Sequence, residues 1–347
     1  NKEVLATSVE VDTIYANPSE VREPVEVAAE LAAALDLDAE TIVRSLTSGG
    51  QFRYIKRQVT ADESAKVRAL KLPGIRMLRE AKRFYPKKEM AGQLLGVVGF
   101  DSRGREGIEA TFDEALRGGQ LEARYHRNAY QRYAMVEGLP PIESEAGHSL
   151  QLTIDEKIQA VLERELERAS LASLASSATG VIIDVHTGEV LGLGHYPRFN
   201  PNRYRTEIAK DNAAMKAGKQ VVHRYRNRAL ADQFEPGSTM KIFTLAAGLE
   251  EGVVGLEDII DTENGRYRVG RKVIHDAHRH KKLSVKEIIK YSSNVGVIKI
   301  AQMLGRERLH SYLQEFGFGT RTRVGVVGDA PGTLHPYKKW ADITLAN

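Results

Sequence analysis

Within Phe234-Glu235-Pro236-Gly237-Ser238-Thr239-Met240-Lys241 a hydroxyl and an amine stand three residues apart. Pro236 and Gly237 end whatever precedes them. Ile242, Phe243, Leu245, Ala246 and Leu249 then supply the apolar side chains of a buried helix. Three helical residues rise about 4.5 Å and nearly close a turn, so Ser238 and Lys241 share a face. That is the arrangement of a serine nucleophile with a lysine as its base. The chemistry needs a lysine whose pKa is lowered by burial or nearby cations, and it gains from the partial positive charge of a helix N-terminus. A Ser and a Lys at this spacing also occur about once by chance in a chain of this length, so the pair alone equally describes an ordinary helix start.

A second group raises the catalytic reading. Ser292-Ser293-Asn294 lies between two predicted helices. Ser284-Val285-Lys286-Glu287 is a capping box that opens a helix running to Tyr291, and residues 295–304 form a strongly apolar helix. The tripeptide is then a tight interhelical turn. Serine and asparagine are ordinary turn residues, but beside the Ser238 helix they are candidates for proton transfer and positioning.

The elements around these groups form two blocks. In the first, residues 25–35 (after Pro24) and 40–46 are predicted helices, and strands at 52–59 and 75–79 flank a helix at 61–70. Glu137-Gly138-Leu139-Pro140-Pro141 breaks the pattern as a linker. Beyond it come a strand at 150–153 and a long helix capped by Thr153-Ile154-Asp155-Glu156. Ile158, Val161, Leu162, Leu166 and Ala169 form its inward stripe, with Glu163, Arg164, Glu165, Glu167 and Arg168 in water. A hairpin over 179–195, turning at Thr187-Gly188, starts a central sheet. The expected fold class is α+β, with domains at 1–145 and 146–347.

Composition sets bounds on function. The chain has 347 residues, 42% hydrophobic and 28% charged, enough for two cores, and a net charge of +4 that permits anionic partners. With no cysteine, disulfides and thiolate chemistry are excluded. Basic runs such as Arg224-Tyr225-Arg226-Asn227-Arg228 come without a nucleic-acid fold signature and read as solvated surface. His275, His278 and His280 have the spacing of neither a zinc-protease helix nor a zinc finger, so a structural or surface role is expected, with no metal and no cofactor. No apolar run reaches the roughly 18 to 20 residues of a membrane span.

Ser238-Thr239-Met240-Lys241 followed by Ser292-Ser293-Asn294 resembles the first two motifs of the penicillin-binding proteins, serine acyltransferases that crosslink peptidoglycan and are acylated by β-lactams. The likeness extends to stretches without chemistry. Thr179-Gly180-Val181-Ile182-Ile183-Asp184 with His186-Thr187-Gly188-Glu189-Val190-Leu191 is similar to the family's first hairpin, and Tyr196-Pro197-Arg198-Phe199-Asn200-Pro201-Asn202 to the segment after it. Gly96-Val97-Val98-Gly99, Gly104-Arg105-Glu106-Gly107-Ile108-Glu109 and Leu116-Arg117-Gly118 resemble the pedestal of class B, monofunctional members, with the division-specific type the best fit.

The resemblance implies a pedestal (dimerisation-type) domain at 1–145 and, at 146–347, the first part of a serine transpeptidase domain with a central antiparallel sheet flanked by helices. It makes Ser238 the nucleophile and an oxyanion-hole N–H donor, and Lys241 the general base. Ser292 becomes the proton relay, Asn294 the residue that positions Lys241 and the substrate amide, and Ser293 a substrate contact. Implied partners are stem peptides ending in D-Ala-D-Ala, β-lactams and membrane proteins of the division or wall-synthesis complex, with no nucleic acid. The implied location is the outer face of the bacterial inner membrane, held by an anchor upstream of Asn1.

The family's third motif, Lys-Ser/Thr-Gly on a central strand, does not occur after Asn294, although residues 315–341 resemble the region that precedes it. The expectation is therefore a truncated chain, its sheet short of partner strands, and poorly active or inactive as written. Two other functions stay open: a catalytically silent scaffold of the wall-synthesis complex, and a serine β-lactamase or β-lactam sensor, which has no need of the first 140 residues. Labelled-penicillin acylation separates enzyme from scaffold, and rapid deacylation marks a lactamase.

Overall fold

Strand β1 (Thr7–Ala16) lies at the centre of an antiparallel sheet, between β2 (Arg53–Lys56) and β3 (Ile75–Phe84). The computed structural model describes residues 2–118, 125–127, 133–135, 147–219, 221, 223–341 and 344. By its contacts the chain forms two units, Asn1–Ala229 and Leu230–Asn347. The predicted linker Glu137-Gly138-Leu139-Pro140-Pro141 and the expected boundary at 145/146 lie outside the described residues.

In the first unit, helices α1 (Pro24–Leu35), α2 (Ala39–Thr47) and α3 (Ala61–Leu70) form where local signals place them. Pro24 occupies the first turn of α1, whose missing N–H costs nothing there, and Thr60 with Glu63 closes a capping box on α3. Ile14, Leu31, Leu35, Ile42 and Leu46 make the core between helices and sheet. Strand β3 runs five residues beyond the predicted 75–79. Its charged end is held by pairs to other elements, Arg79 with Glu10, Glu80 with Arg57, and Arg83 with the buried Glu109. Such pairing is invisible to a period-two hydrophobic pattern.

Helix α4 (Glu156–Ser173) is capped by Asp155, whose side chain accepts from Lys157 N and Ile158 N. Thr153, the expected cap, instead donates to Val190 O (2.6 Å), and the strand expected at 150–153 does not form. The helix lies on the hairpin β4 (Ala178–Ile183) and β5 (Val190–Tyr196). Gly180 faces Gly194 across that hairpin, and a Cβ on either would come within 3.0 Å of Leu162, so the helix rests on a spot without side chains. The inward stripe differs from the one expected. Glu163 is 4% exposed, accepting from Ala91 N (2.7 Å) and Gln159 Nε2 (2.6 Å), while Val161 and Ala169 face out. Gln159 in turn bonds both backbone groups of Leu193, so this stripe satisfies hairpin polar groups rather than filling apolar volume. Burial raises the Glu163 carboxyl above its ordinary range. Among the described residues no further strand joins β4 and β5, and Val181 and Ile183 are about half exposed.

The second unit is built on helices α5 (Met240–Glu250), α6 (Val285–Lys290), α7 (Asn294–Leu304) and α8 (Arg306–Glu315). Between α5 and α6 run strands β6 (Ile259–Asp261), β7 (Arg266–Val269), β8 (Lys272–His275) and β9 (Lys282–Ser284); β6 pairs with β9 and β7 with β8. Helix α7 is apolar on most sides and largely buried: Val295, Ile298, Ile300 and Ala301 are 0% exposed, while Gln302 and Met303 reach solvent. Helix α5 buries Leu245 and Ala247, whereas Ile242, expected inside, is 62% exposed. No helix among the described residues is long and apolar enough to cross a membrane.

Candidate active site

Two helix junctions bring the candidate residues together. At the first, Gly237 adopts φ 60°, a left-handed conformation natural to glycine, and starts the 3-10 turn Gly237–Thr239 that continues into α5. Ser238 sits exposed in this turn, at a helix start whose first N–H groups lack intrahelical acceptors. Lys241 follows in the first turn of α5, half buried.

At the second junction, the predicted capping box forms: Ser284 Oγ accepts from Glu287 N, and Glu287 reaches back to Ser284 N. Helix α6 ends at Tyr291, where Ser292 N bonds Ile289 O and Ser293 N bonds Ile288 O, with Ser292 at φ 54°. This is a Schellman-type ending with serine where glycine is usual. The left-handed turn disfavours any side chain by about 1–2 kcal/mol, yet a serine stands there, and its hydroxyl is the group that meets Lys241.

Lys241 Nζ donates to Ser292 O (2.6 Å), Ser292 Oγ (2.9 Å) and Asn294 Oδ1 (2.6 Å). Three acceptors match the three donors of an ammonium. The Asn294 amide is oriented from its other end, where Nδ2 donates to His275 O (2.8 Å), which leaves Oδ1 for the lysine. A neutral Lys241 has two N–H donors and a lone pair. Ser292 O and Asn294 Oδ1 can only accept, so they keep the two N–H bonds, while the Ser292 hydroxyl can reverse and donate to the lone pair. The geometry thus has a built-in proton path between Lys241 and Ser292. Burial lowers the Lys241 pKa, and the nearby Asp276 charge opposes the shift.

Ser238 is not joined to this cluster by a hydrogen bond; the structure places it on the preceding turn with no side-chain bond to Lys241. Ser293, expected to touch substrate, is 1% exposed. Its Oγ donates to Asp276 Oδ2 (2.7 Å) and accepts from Gly296 N (2.9 Å) as the N-cap of α7. With its hydroxyl committed on both sides, Ser293 is a capping residue rather than a ligand contact.

Asp276 is the residue that sequence reasoning passed over. Besides Ser293 it accepts from Val295 N (2.9 Å), so one carboxylate holds both the turn and the start of α7. One signal was available: Asp276 is the only acidic residue between 266 and 282. The neighbouring histidines serve the scaffold. His275 offers its carbonyl to Asn294, and the His280 ring stacks on Tyr291 at 4.5 Å.

Residues 178–347 match the penicillin binding protein transpeptidase domain, and residues 1–152 match the penicillin-binding protein dimerisation domain. The chain belongs to the penicillin-binding protein family. Its pairing of a dimerisation with a transpeptidase domain is the class B arrangement expected from the sequence. The four residues Ser238, Lys241, Ser292 and Asn294 all fall in the transpeptidase domain of this penicillin-binding protein. It is 35% identical over 349 residues to the peptidoglycan D,D-transpeptidase FtsI of Escherichia coli K12, covering 99% of this chain and 56% of that protein. It is 32% identical over 350 residues to the probable peptidoglycan D,D-transpeptidase PbpC of Pseudomonas aeruginosa, covering 100% of this chain and 59% of that protein. The chain therefore spans a little over half the length of these curated relatives. Among solved structures it is similar to penicillin binding protein 3 of Mycobacterium tuberculosis complexed with ampicillin, with a TM-score of 0.62 and 28% identity, over 78% of this chain and 53% of that one.

Proposed function

We propose that this penicillin-binding protein is a serine D,D-transpeptidase that crosslinks peptidoglycan stem peptides during division, and that β-lactams acylate it. The observation that carries this reading is the Lys241 amine, half buried and held by Ser292 and Asn294 one helical turn from the exposed Ser238 hydroxyl. Neutral Lys241 takes the Ser238 proton as Oγ attacks the penultimate D-alanine carbonyl, and the Ser238 N–H stabilises the resulting oxyanion. The C–N bond to the terminal D-alanine then breaks. The proton returns through Ser292 to the departing amine, leaving an ester on Ser238. An amine of a neighbouring stem peptide attacks that ester and restores the serine.

The relatives named as D,D-transpeptidases and the neighbour solved with ampicillin support this assignment. They support in turn a place at the outer face of the inner membrane, beside membrane proteins of the wall-synthesis machinery. The test is to incubate the full-length protein with a pentapeptide donor and an amine acceptor. Release of D-alanine with matching crosslinked product, both blocked by penicillin, is the expected result; a protein that binds stem peptides but releases no D-alanine is a scaffold instead.

A further inference from the structure

The run from Arg266 to Lys282 holds seven lysines and arginines against a single carboxylate, a net +6 inside a chain whose total is +4. All seven, Arg266, Arg268, Arg271, Lys272, Arg279, Lys281 and Lys282, are exposed, and among the described residues none has an ion pair or side-chain hydrogen bond. The one carboxylate, Asp276, is turned inward to Ser293 and Val295. Across the ladder from Lys282 stands Asp261, which accepts from Glu263 N; Glu263 pairs with Lys299, and Glu287 closes the capping box on Ser284.

The β7–β8 hairpin places two of these cations, Arg266 and Arg268, on its outer face, while Lys272 stands across from the buried Val269 at the turn end. Tyr267, Val269 and Ile274 pack into the core, while Arg266 and Arg268 alternate with them on the outside, Arg266 paired with His275 across the ladder. The same hairpin touches the active site through the His275 carbonyl, which holds Asn294. Cations set this close along one run of chain without anionic partners repel one another, and an anion placed among them relieves that repulsion.

We infer that the outer face of this hairpin, with the strap that follows it to Lys282, binds the carboxylate-bearing peptidoglycan strand that the adjacent site crosslinks. The inference rests on the proposed transpeptidase function for the identity of its ligand. Uncrosslinked strands repeat free carboxylates along their stem peptides, so several cations engage one polymer at once and hold it beside the reacting peptide. Penicillin, which carries one carboxylate, gains little from such a surface.

The test measures binding of soluble uncrosslinked strands to the full-length protein, beside the same strands with carboxylates converted to amides. Wild-type binding should weaken about tenfold or more between about 0.05 M and 0.3 M salt. It should also weaken about tenfold or more on amidation, and in the variant Arg266→Gln/Arg268→Gln/Lys281→Gln/Lys282→Gln. The charge-preserving variant Arg266→Lys/Arg268→Lys should bind as wild type, and a thermal midpoint for each variant reports folding. Equal affinity for amidated strands, an unaffected Gln variant, or tighter binding to phosphatidylglycerol vesicles than to strands overturns the inference. Penicillin labelling of the wild type is measured in parallel: strand binding without labelling removes the transpeptidase reading and leaves the surface standing.

Discussion

Lys241 Nζ lies 2.6 Å from Asn294 Oδ1, and the opposite end of the same amide is bound at 2.8 Å to the His275 carbonyl. The amide is therefore a strut between the β8 end and the Lys241 amine, and its direction is set by which end can donate. Replacing Asn294 by Asp removes the donor to His275 and puts a carboxylate against Lys241. The ammonium is then favoured over the neutral base, so β-lactam acylation at neutral pH should fall by roughly 10²-fold or more. Asn294→Asp acylating at the wild-type rate would show that the strut plays no part.

The pH dependence follows from the burial of Lys241. Burial disfavours the ammonium, so the neutral base is reached at lower pH than for an ordinary lysine, and acylation should rise with pH along an acid limb below the usual lysine range. Asp276 acts in the opposite direction. Its replacement by Asn removes a negative charge, lowers the Lys241 pKa further and moves the acid limb to lower pH. The maximum rate falls as well, because Ser293 and Val295 donate to different oxygens of the carboxylate and an amide keeps only one of them. Acylation rates measured across pH for both proteins check the direction; a limb that stays put or moves up contradicts it.

Ser292 is held at φ 54°. Glycine accepts that conformation freely and alanine does not, so Ser292→Gly should be about 1 kcal/mol more stable than Ser292→Ala in urea unfolding. Both lack the hydroxyl, and both should acylate roughly 10²-fold more slowly. A more stable alanine variant would exclude the left-handed turn.

Gly296 lies where α7 crosses Ile288 of α6, and a Cβ there would stand 2.6 Å from Ile288 Cδ1 and Cγ1. Gly296→Ala should cost about 1–3 kcal/mol. Removing the obstructing side chain as well, in Gly296→Ala/Ile288→Ala, should cost less than the two single changes added together. Strict additivity in the unfolding free energies would mean that the two residues do not meet.

Features set within a few residues could be read directly. The capping box at Ser284, the start of α1 at Pro24, the apolar α7 and the hairpin turn at Thr187-Gly188 each depend on neighbours in sequence, and each formed; the cap expected at Thr153 did not, because Asp155 takes that place and Thr153 turns to Val190 O. Tertiary partners decide the rest. Glu163 looks like a solvated helix residue until Ala91 N and Gln159 are placed against it. Ser293 and Ser292 are adjacent and alike in composition; the left-handed turn at Ser292 sends one hydroxyl to Lys241 and leaves the other under α7. The spacing of Ser238 and Lys241 indicated which pair to inspect, but the orientation of Asn294 depends on a His275 carbonyl that no motif records.

The central claim is that Ser238 is the nucleophile and Lys241 its base. Mass spectrometry of the full-length protein treated with penicillin, with the adduct mapped by peptide, tests it most directly. A single adduct on the peptide containing Ser238, absent in Ser238→Ala and strongly slowed in Lys241→Ala, is the predicted result; an adduct on another residue, or one that persists in Ser238→Ala, contradicts it.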